Sequence, residues 1–316
     1  MIACPAMPGV PAELVSFLAE LPAAERRARG TRTGARALTC DKQAIFALVW
    51  FRERRDGALI GRGLGISQAT AYRYLDEAID VLAARAPDLY EALQRGHDEG
   101  WSHVILDGKI VATDRLPVKT ASTKGTTIDA WYSGKTRDFG GNIQAVMRPG
   151  GFPVWISEAG PGGVHDLTAA REHVLGALCA AAGPGMATLA DPGYEGAGTG
   201  VHTPVKQPAD RSELDINTRT RNTLLRPLRC PGERGFALLA GRWPTLRHIM
   251  VSPRKITKIA RAALVLTQFE HGYHACWAER HPGQKRCRVW ENVPLPKART
   301  LAGATANTSA SPPPSW

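Results

Sequence analysis

Between residues 39 and 85 the apolar positions recur every three to four residues, which is the spacing of amphipathic helices. Thr39 is suited to cap the first of these helices. The apolar residues predicted to face a small core are Ile45, Leu48, Val49 and Phe51. A second, short helix is predicted over residues 59–64. The first part of the chain should therefore be helical.

A glycine separates the short helix from a third one. Gly65 permits a left-handed turn, and Ser67 then caps a helix from Gln68 to about Ala84. Its inward positions would be Ala71, Leu75, Ala78 and Leu82, and its less constrained positions Gln68, Thr70, Arg73 and Tyr74. This pattern is typical of a helix-turn-helix, whose second helix enters the major groove of DNA. The residues predicted to contact DNA are Ser67, Gln68, Thr70 and Arg73. An ordinary helical hairpin is the alternative.

Strand-like and helix-like runs alternate from residue 97 to 270, which predicts an α/β domain. Two apolar runs each end in an aspartate, at Asp107 and Asp191, and carboxyl ends of strands gather at one edge of a sheet. Glu233 follows a Pro-Gly turn and should lie in the first turn of a helix. Carboxylates are the ligands Mg²⁺ prefers, and two such ions about 3.5–4 Å apart suit phosphodiester chemistry. Taken singly, each acid is better explained by a structural role: Asp107 and Asp191 as turn or cap residues, and Glu233 as a first-turn residue favoured by the helix dipole.

Five short stretches carry a resemblance to a known family. They are, in order, residues 105–108 (ILDG), 131–135 (WYSGK), 163–166 (GVHD), 189–194 (LADPGY) and 232–234 (GER). With the predicted helix-turn-helix, they resemble the DDE transposases of bacterial insertion sequences, in the insertion-sequence family five group. The likeness extends from Thr39 to about His271. It implies a ribonuclease-H-like mixed sheet flanked by helices and preceded by a small all-α helix-turn-helix domain.

The same resemblance implies a chemistry. Asp107, Asp191 and Glu233 would be the catalytic residues and the ligands of two Mg²⁺ or Mn²⁺ ions. The partner would be double-stranded DNA: the enzyme would cut at terminal inverted repeats and join the freed ends to target DNA, and we expect a homodimer. The alternatives are a decayed or domesticated transposase that only binds DNA, and a nuclease without strand transfer.

Some positions depart from the family pattern. The basic residue usually found two turns after the glutamate is replaced by Ala240, with Arg242 as the substitute. Arg229 matches the basic residue expected one turn before the acid. Lys109 stands in place of a usual threonine and Pro192 in place of a usual lysine. These departures concern activity more than fold.

A fourth acid, Asp166, occurs in the GVHD stretch before a helical run at residues 167–178. Its position predicts a helix N-cap, with a structural role and no place in the triad. His165 beside it is expected near the site.

Charge supports a polyanionic partner. The chain has 316 residues, with 40 Lys plus Arg against 29 Asp plus Glu, a net charge of +11 and a pI near 9.7. Such an excess favours nucleic acid because neutralised phosphates release counterions. The basic residues are dense around Glu233, and those predicted to contact DNA there are Arg229, Arg234 and Arg242.

We predict four segments: an arm or linker at 1–38, the helix-turn-helix domain at 39–96, the α/β domain at 97–270, and an extension with a disordered tail at 271–316. The six cysteines form no CxxC pair, and no run reaches the ~18 apolar residues of a membrane span. A cytoplasmic, nucleoid-associated protein is expected. The histidines and cysteines after residue 270 match no zinc pattern.

Overall fold

The computed structural model describes residues 9–121, 125–210 and 212–273. Its first part is helical, with α1 (Ala12–Ala28), α2 (Cys40–Glu53), α3 (Gly57–Gly63), α4 (Gln68–Ala83) and α5 (Leu89–Asp98). Thr39 and Ser67 cap α2 and α4 as predicted, each accepting a backbone N–H with its side-chain oxygen. Gly65 lies between α3 and α4 with φ +73°, a conformation that costs other residues a steric clash with Cβ. The predicted helix–turn–helix geometry is therefore present.

The segment predicted to be an arm or linker contains α1, and that prediction is wrong. Leu14, Phe17, Leu18 and Leu21 are buried in the core, at the i, i+3, i+4, i+7 spacing of one helix face. The arginines that follow are also attached to the body of the protein: Arg26 donates to Gln43 Oε1 at 2.7 Å and to Leu38 O at 3.1 Å.

Burial in α2 and α4 differs in part from the predicted pattern. In α2, Leu48 and Phe51 are buried as expected, while Ile45 and Val49 are half-buried. The unpredicted buried residues of α2 include Phe46 and Trp50, since the helix is covered on more than one side. In α4, Tyr74 is only 2% exposed, because its Oη accepts the Leu38 N–H and its ring lies beneath Arg36. Tyr74 was predicted to be less constrained than the inward-facing residues of α4, and that prediction is wrong.

The rest of the described chain is a mixed α/β unit. Its strands are β1 (His103–Thr113), β2 (Lys119–Ala121), β3 (Thr127–Asp129), β4 (Tyr132–Ser133), β5 (Asp138–Met147), β6 (Pro153–Ile156), β7 (Gly160–Pro161), β8 (Ala187–Ala190), β9 (Val201–His202) and β10 (His248–Ile249). Its helices are α6 (Asp166–His173), α7 (Leu175–Ala182), α8 (Ile216–Arg229), α9 (Pro231–Arg242) and α10 (Ile256–Glu270). The single helix predicted over residues 167–178 is broken at Val174, where the backbone leaves the helical region.

The long strand β1 is the centre of the main sheet. It pairs antiparallel with β5 on one side and parallel with β8 on the other, and β9 continues the sheet in parallel beyond β8. On its far edge β5 pairs antiparallel with β4, β7 and β6 in succession along its length, and β10 adds to the end of β1. The prediction of a mixed sheet with flanking helices, preceded by an all-α part, is confirmed.

Both faces of the sheet are covered, because successive residues of a strand point to opposite sides. Ile105 and Met147 join the cluster that contains α9, α10 and the N-terminal helices. Val104 and Leu106 join the second cluster, with α6 and α7. The first cluster continues into α1, α2 and α4, so the all-α part and the sheet share one hydrophobic core.

Helix α10 makes this connection. It buries most of its length, and two lysines beside it bind acids of α4: Lys255 binds Asp76, and Lys258 binds Asp80 at 2.7 Å. In contrast, α5 belongs to the second cluster with the sheet, although it was placed in the helix-turn-helix domain. The predicted boundary at residue 96 is therefore too late, because Leu89, Ala92 and Leu93 pack on the α/β side.

No helix in the described part of the chain is long and apolar enough to cross a membrane. The extension predicted from residue 271 lies outside the described residues beyond Tyr273, as do its cysteines and its predicted tail.

Candidate active site

The register of β1 and β8 brings two of the predicted acids together. The two strands are parallel, and their last paired residues are Leu106 and Ala190. Asp107 and Asp191 are the next residues on each strand, and neighbouring strands lie about 4.8 Å apart. Asp107 was expected at the end of its strand. It lies instead in the middle of β1, because β1 continues along β5 to Thr113 after β8 has ended.

Each aspartate is oriented by a glycine that follows it. Asp107 Oδ1 accepts the Gly108 N–H at 2.9 Å, and Asp191 Oδ1 accepts the Gly193 N–H at 2.8 Å. Among the residues that the structure describes, none donates to either Oδ2 atom. One oxygen of each carboxylate is thus fixed and the other is available.

The surroundings of Asp107 disfavour its charge. Burial raises the pKa of Asp107 to about 6, and the charges of Asp191 and Asp166 act in the same direction. The Gly108 N–H and the Arg229 guanidinium lower the pKa but do not offset burial. A buried carboxylate in this state has a deficit of positive charge around it.

A third aspartate lies beside this pair. Asp166 Oδ1 accepts from Asn142 Nδ2 at 2.8 Å, and its Oδ2 accepts from Lys135 Nζ at 3.0 Å. The hydrogen bond to Asp166 raises the pKa of Lys135, and Asp191 and Asp107 raise it further. Asp166 was predicted to be an N-cap, but His165 caps α6, accepting the Leu167 N–H with Nδ1. The structure therefore corrects that prediction and places Asp166 among the acids.

Gly108 lets these groups come close. A Cβ on this residue would lie 2.7 Å from Tyr194 Oη, 2.8 Å from Gln144 Nε2 and 2.9 Å from Asp166 Oδ1. Tyr194 donates to Gln144 Oε1 at 2.6 Å, and both side chains are buried. Burial, then the charges of the acids, of which Asp166 comes first, raise the pKa of Tyr194. Asp107 thus supplies a carboxylate to the site, and Gly108, which has no side chain, leaves room for Tyr194, Gln144 and Asp166.

Glu233 lies apart from the other acids. It occupies the first turn of α9 as predicted, but its side chain is 66% exposed and is paired with Arg229 at 3.4 Å. The start of α9 nevertheless packs on the Asp107 face of β1, since a Cβ on Gly232 would lie 2.6 Å from Ile105 Cγ2. Arg229 also lowers the pKa of Asp107 electrostatically. It therefore interacts both with the glutamate and with the aspartate pair.

In the described part of the chain, no three Asp, Glu, His or Cys side chains are arranged to hold one metal ion. The structure brings Asp107 and Asp191 together, whereas Glu233 is ion-paired with Arg229. The pair itself fits a hard cation, because it offers two free carboxylate oxygens and a buried, undercompensated charge.

Comparison with known families agrees with this geometry. Residues 106–268, slightly more than half of the chain, match the family described as DDE superfamily endonuclease. The chain belongs to this family. Residues 36–88 match the helix-turn-helix of the same superfamily. No curated protein and no solved structure matches the chain.

Membership confirms the coarse predictions for this endonuclease. The helix-turn-helix, the ribonuclease-H-like α/β domain behind it and a transposase-type function in DNA cleavage are supported by the two family matches. Enzymes of this superfamily typically use divalent metals. The family five group of insertion sequences stays a prediction, as does each site residue.

The residues predicted to read DNA lie at the start of α4. Ser67, Gln68 and Arg73 are exposed, and Thr70 is half-buried. Ser67 Oγ donates to Thr70 Oγ1 at 3.0 Å, which holds both at the N-terminal turn. These positions suit contact with base edges in a groove.

Two basic residues predicted around Glu233 differ in their surroundings. Arg234 is exposed next to it. Arg242 binds both carboxylate oxygens of Glu270, with Nε 2.7 Å from Oε2, and also donates to Gly9 O at 2.5 Å. Its guanidinium is thus occupied by a carboxylate, which argues against Arg242 as the substitute for the basic residue missing at Ala240.

Lys135 and Asn142 were not among the predicted site residues. Lys135 lies in the WYSGK stretch, which carried the family resemblance but no assigned role. Asn142 is a buried polar residue in a largely buried strand, as is Gln144, and buried polar groups require a partner. That pattern was the available signal, but the partner, Asp166, is set by tertiary structure.

Proposed function

We propose that the protein is a transposase, cutting DNA at the ends of a mobile element and joining the freed ends to target DNA. The observation that carries this proposal is the pairing of Asp107 with Asp191 at the point where β8 ends beside β1. The adjacent helix-turn-helix supplies a means to select the DNA to be cut.

In this proposal Asp107 and Asp191 hold Mg²⁺ or Mn²⁺, and Glu233 is the third carboxylate. Two such ions, when bound, activate the attacking oxygen and stabilise the leaving one. For Glu233 to contribute, its ion pair with Arg229 has to open. Arg229 is then available to a DNA phosphate, which is a better partner for a guanidinium than an exposed carboxylate.

The remaining polar groups position the acids. Asn142 and Lys135 fix the Asp166 carboxylate, while Gln144 and Tyr194 fill the space behind Gly108. Lys135 is exposed over most of its length and lies close to all three aspartates. It is the cation on this side of the site that can accompany an incoming phosphate.

The test is cleavage and joining of a duplex that carries the genomic ends flanking the gene. We expect Mg²⁺-dependent nicking at the element end, followed by joining to a second duplex. Asp107→Asn, Asp191→Asn and Glu233→Gln should each abolish cleavage and leave DNA binding intact. Cleavage that survives in one of these variants would remove that residue from the mechanism.

A second candidate function rests on the position of Glu233. An endonuclease domain whose third acid stays on Arg229, and which lacks a basic residue at Ala240, would bind DNA without cutting it. The same assay separates the two candidates: the decayed or domesticated protein binds the duplex, and no divalent metal produces a nick. Nicking without joining would instead indicate a nuclease.

The finer expectations belong to the first candidate. They are membership of the insertion-sequence family five group, terminal inverted repeats as substrate, a homodimer that holds two ends, and action on nucleoid DNA. The mass of the complex formed with end-containing duplexes tests the dimer.

A further inference from the structure

Helix α8 has an unusual surface for a helix of a folded domain. None of its fourteen residues is buried. It carries four arginines and no acid, the arginines being Arg219, Arg221, Arg226 and Arg229. Most helices in proteins are stabilised by an apolar face packed on a core. Because α8 has no such buried face, its sequence indicates a role in contact with something outside the protein.

The helix is nevertheless held in place. Asn222 makes two hydrogen bonds of 2.9 Å with the backbone of Val205, and Arg221 donates to Thr203 O at 3.1 Å. Asp215 caps the helix by accepting two backbone N–H groups at 3.0 Å. These contacts fasten α8 to the segment after β9, so its outer residues keep a fixed orientation.

Between α8 and that segment lies a groove of about 490 Å³. Arg219, Arg226 and Arg229 line it from the helix, and its lining also includes Pro192, which follows Asp191. The spacing of the arginines, seven and then three residues, places them on one side of the helix. Arg229 also lowers the pKa of Asp107 electrostatically, so the groove lies beside the paired aspartates on the side of Arg229 and Pro192.

We propose that this groove binds the phosphate backbone of one DNA strand where it leaves the cleavage position. From Arg219 to Arg229 the helix rises about 15 Å, and a strand of B-DNA advances about 3.4 Å per nucleotide, so the groove spans about four phosphates. This inference rests on the proposed function, because it takes DNA as the substrate of the paired aspartates.

The arginines differ in their readiness to bind. Arg226 is exposed, and no described residue pairs with its guanidinium. Arg219 is paired with Glu213 at 2.9 Å, but that glutamate is 81% exposed, and such surface pairs contribute little. A phosphate can therefore replace Glu213 at small cost, and Arg226 needs no exchange.

The opposite face of α8 carries exposed leucines, including Leu224 and Leu228. Such a face could also bind a protein. The groove with the cations, however, lies beside the aspartates through Pro192 and Arg229, so charge and position favour DNA there.

The test is the salt dependence of DNA binding by the full chain in EDTA, which prevents cleavage. The probe is a fluorescein-labelled duplex of about 20 base pairs with an overhang of about four nucleotides, followed by anisotropy. Arg226→Gln should lower the slope of log K against log salt by about 0.9, and Arg219→Gln with Arg226→Gln by about twice as much. Because no side chain of α8 is buried, these variants should keep the circular dichroism and melting temperature of the parent protein.

Three controls accompany this measurement. Arg226→Lys keeps the charge and should keep the slope. Leu224→Gln changes the opposite face of α8, and Arg32→Gln removes an exposed arginine outside the groove; both should leave binding unchanged.

The outcomes distinguish the two proposals. If the protein binds DNA but the slope of log K against log salt is the same in the Arg219 and Arg226 variants, the groove proposal alone is overturned. A loss of binding in Leu224→Gln without one in Arg226→Gln would also overturn it, in favour of the apolar face. Failure of the unmodified protein to bind DNA would overturn the groove and the proposed function together.

Discussion

Replacing Asp107 by asparagine should make the metal-free protein more stable. Burial raises the pKa of Asp107 from 3.8 to about 6. A shift of about two pKa units corresponds to about 3 kcal/mol, so at neutral pH the ionised carboxylate destabilises the fold by up to that amount. An asparagine has the same shape, and its amide oxygen can still accept the Gly108 N–H. We expect a gain of about 2–3 kcal/mol, which is roughly 4–10 °C in melting temperature for a protein of this size.

The gain should depend on pH in a defined direction. Because the folded-state pKa of Asp107 lies above the unfolded value, its stabilising contribution is present below about pH 4 and is lost as pH rises through about 6. The advantage of Asp107→Asn should therefore fall from about 3 kcal/mol near pH 7.5 to about 1 kcal/mol near pH 4.5. Urea denaturation in EDTA at the two pH values measures it.

A matched control and a metal titration complete the experiment. Asp98→Asn changes an exposed aspartate and should alter stability by less than about 0.5 kcal/mol at either pH. Added Mg²⁺ should stabilise the parent protein and leave Asp107→Asn unchanged, because a ligand stabilises only the state that binds it. The reasoning is refuted if Asp107→Asn is no more stable at neutral pH, or if its advantage is the same near pH 4.5.

Three further predictions test the packing of the site and the assignment of the arginines. Gly108→Ala should lower stability by about 1–3 kcal/mol, because the added Cβ would meet buried side chains. Gly176→Ala should instead raise stability by about 0.5–1 kcal/mol, because Gly176 lies in a helix with open space around it. Thermal denaturation of both variants checks the two signs. Arg242→Met should cost about 3 kcal/mol by leaving the Glu270 carboxylate, only 11% exposed, without its partner, and DNA affinity measured on the folded variant should not change. Arg73→Gln should weaken binding to the cognate DNA end about tenfold and leave non-specific binding and stability nearly unchanged. Competition with unrelated DNA measures the two affinities. Equal weakening on both DNAs would exclude a role for Arg73 in reading sequence.

Local sequence was enough to determine the elements that depend on neighbours in the chain. Thr39, Ser67 and Gly65 predicted their caps and turn correctly, since capping and left-handed geometry are decided within a few residues. The same holds for Glu233 in the first turn of α9. Helix α1 is also indicated by the spacing of Leu14, Phe17, Leu18 and Leu21, although the segment was predicted to be an arm or linker.

Tertiary structure alone decided which charged groups meet. The adjacency of Asp107 and Asp191 depends on the register between β1 and β8, strands more than seventy residues apart, and periodicity within a strand cannot specify such a register. The position of Asp166 depends on hydrogen bonds from Asn142, in β5, and from Lys135, between β4 and β5. Arg242 was predicted from the sequence to contact DNA, but in the folded protein its guanidinium is paired with Glu270 of α10. Chain neighbours fix backbone geometry, whereas the pairing of charges is fixed by contacts between residues distant in sequence, and those are formed only in the folded core.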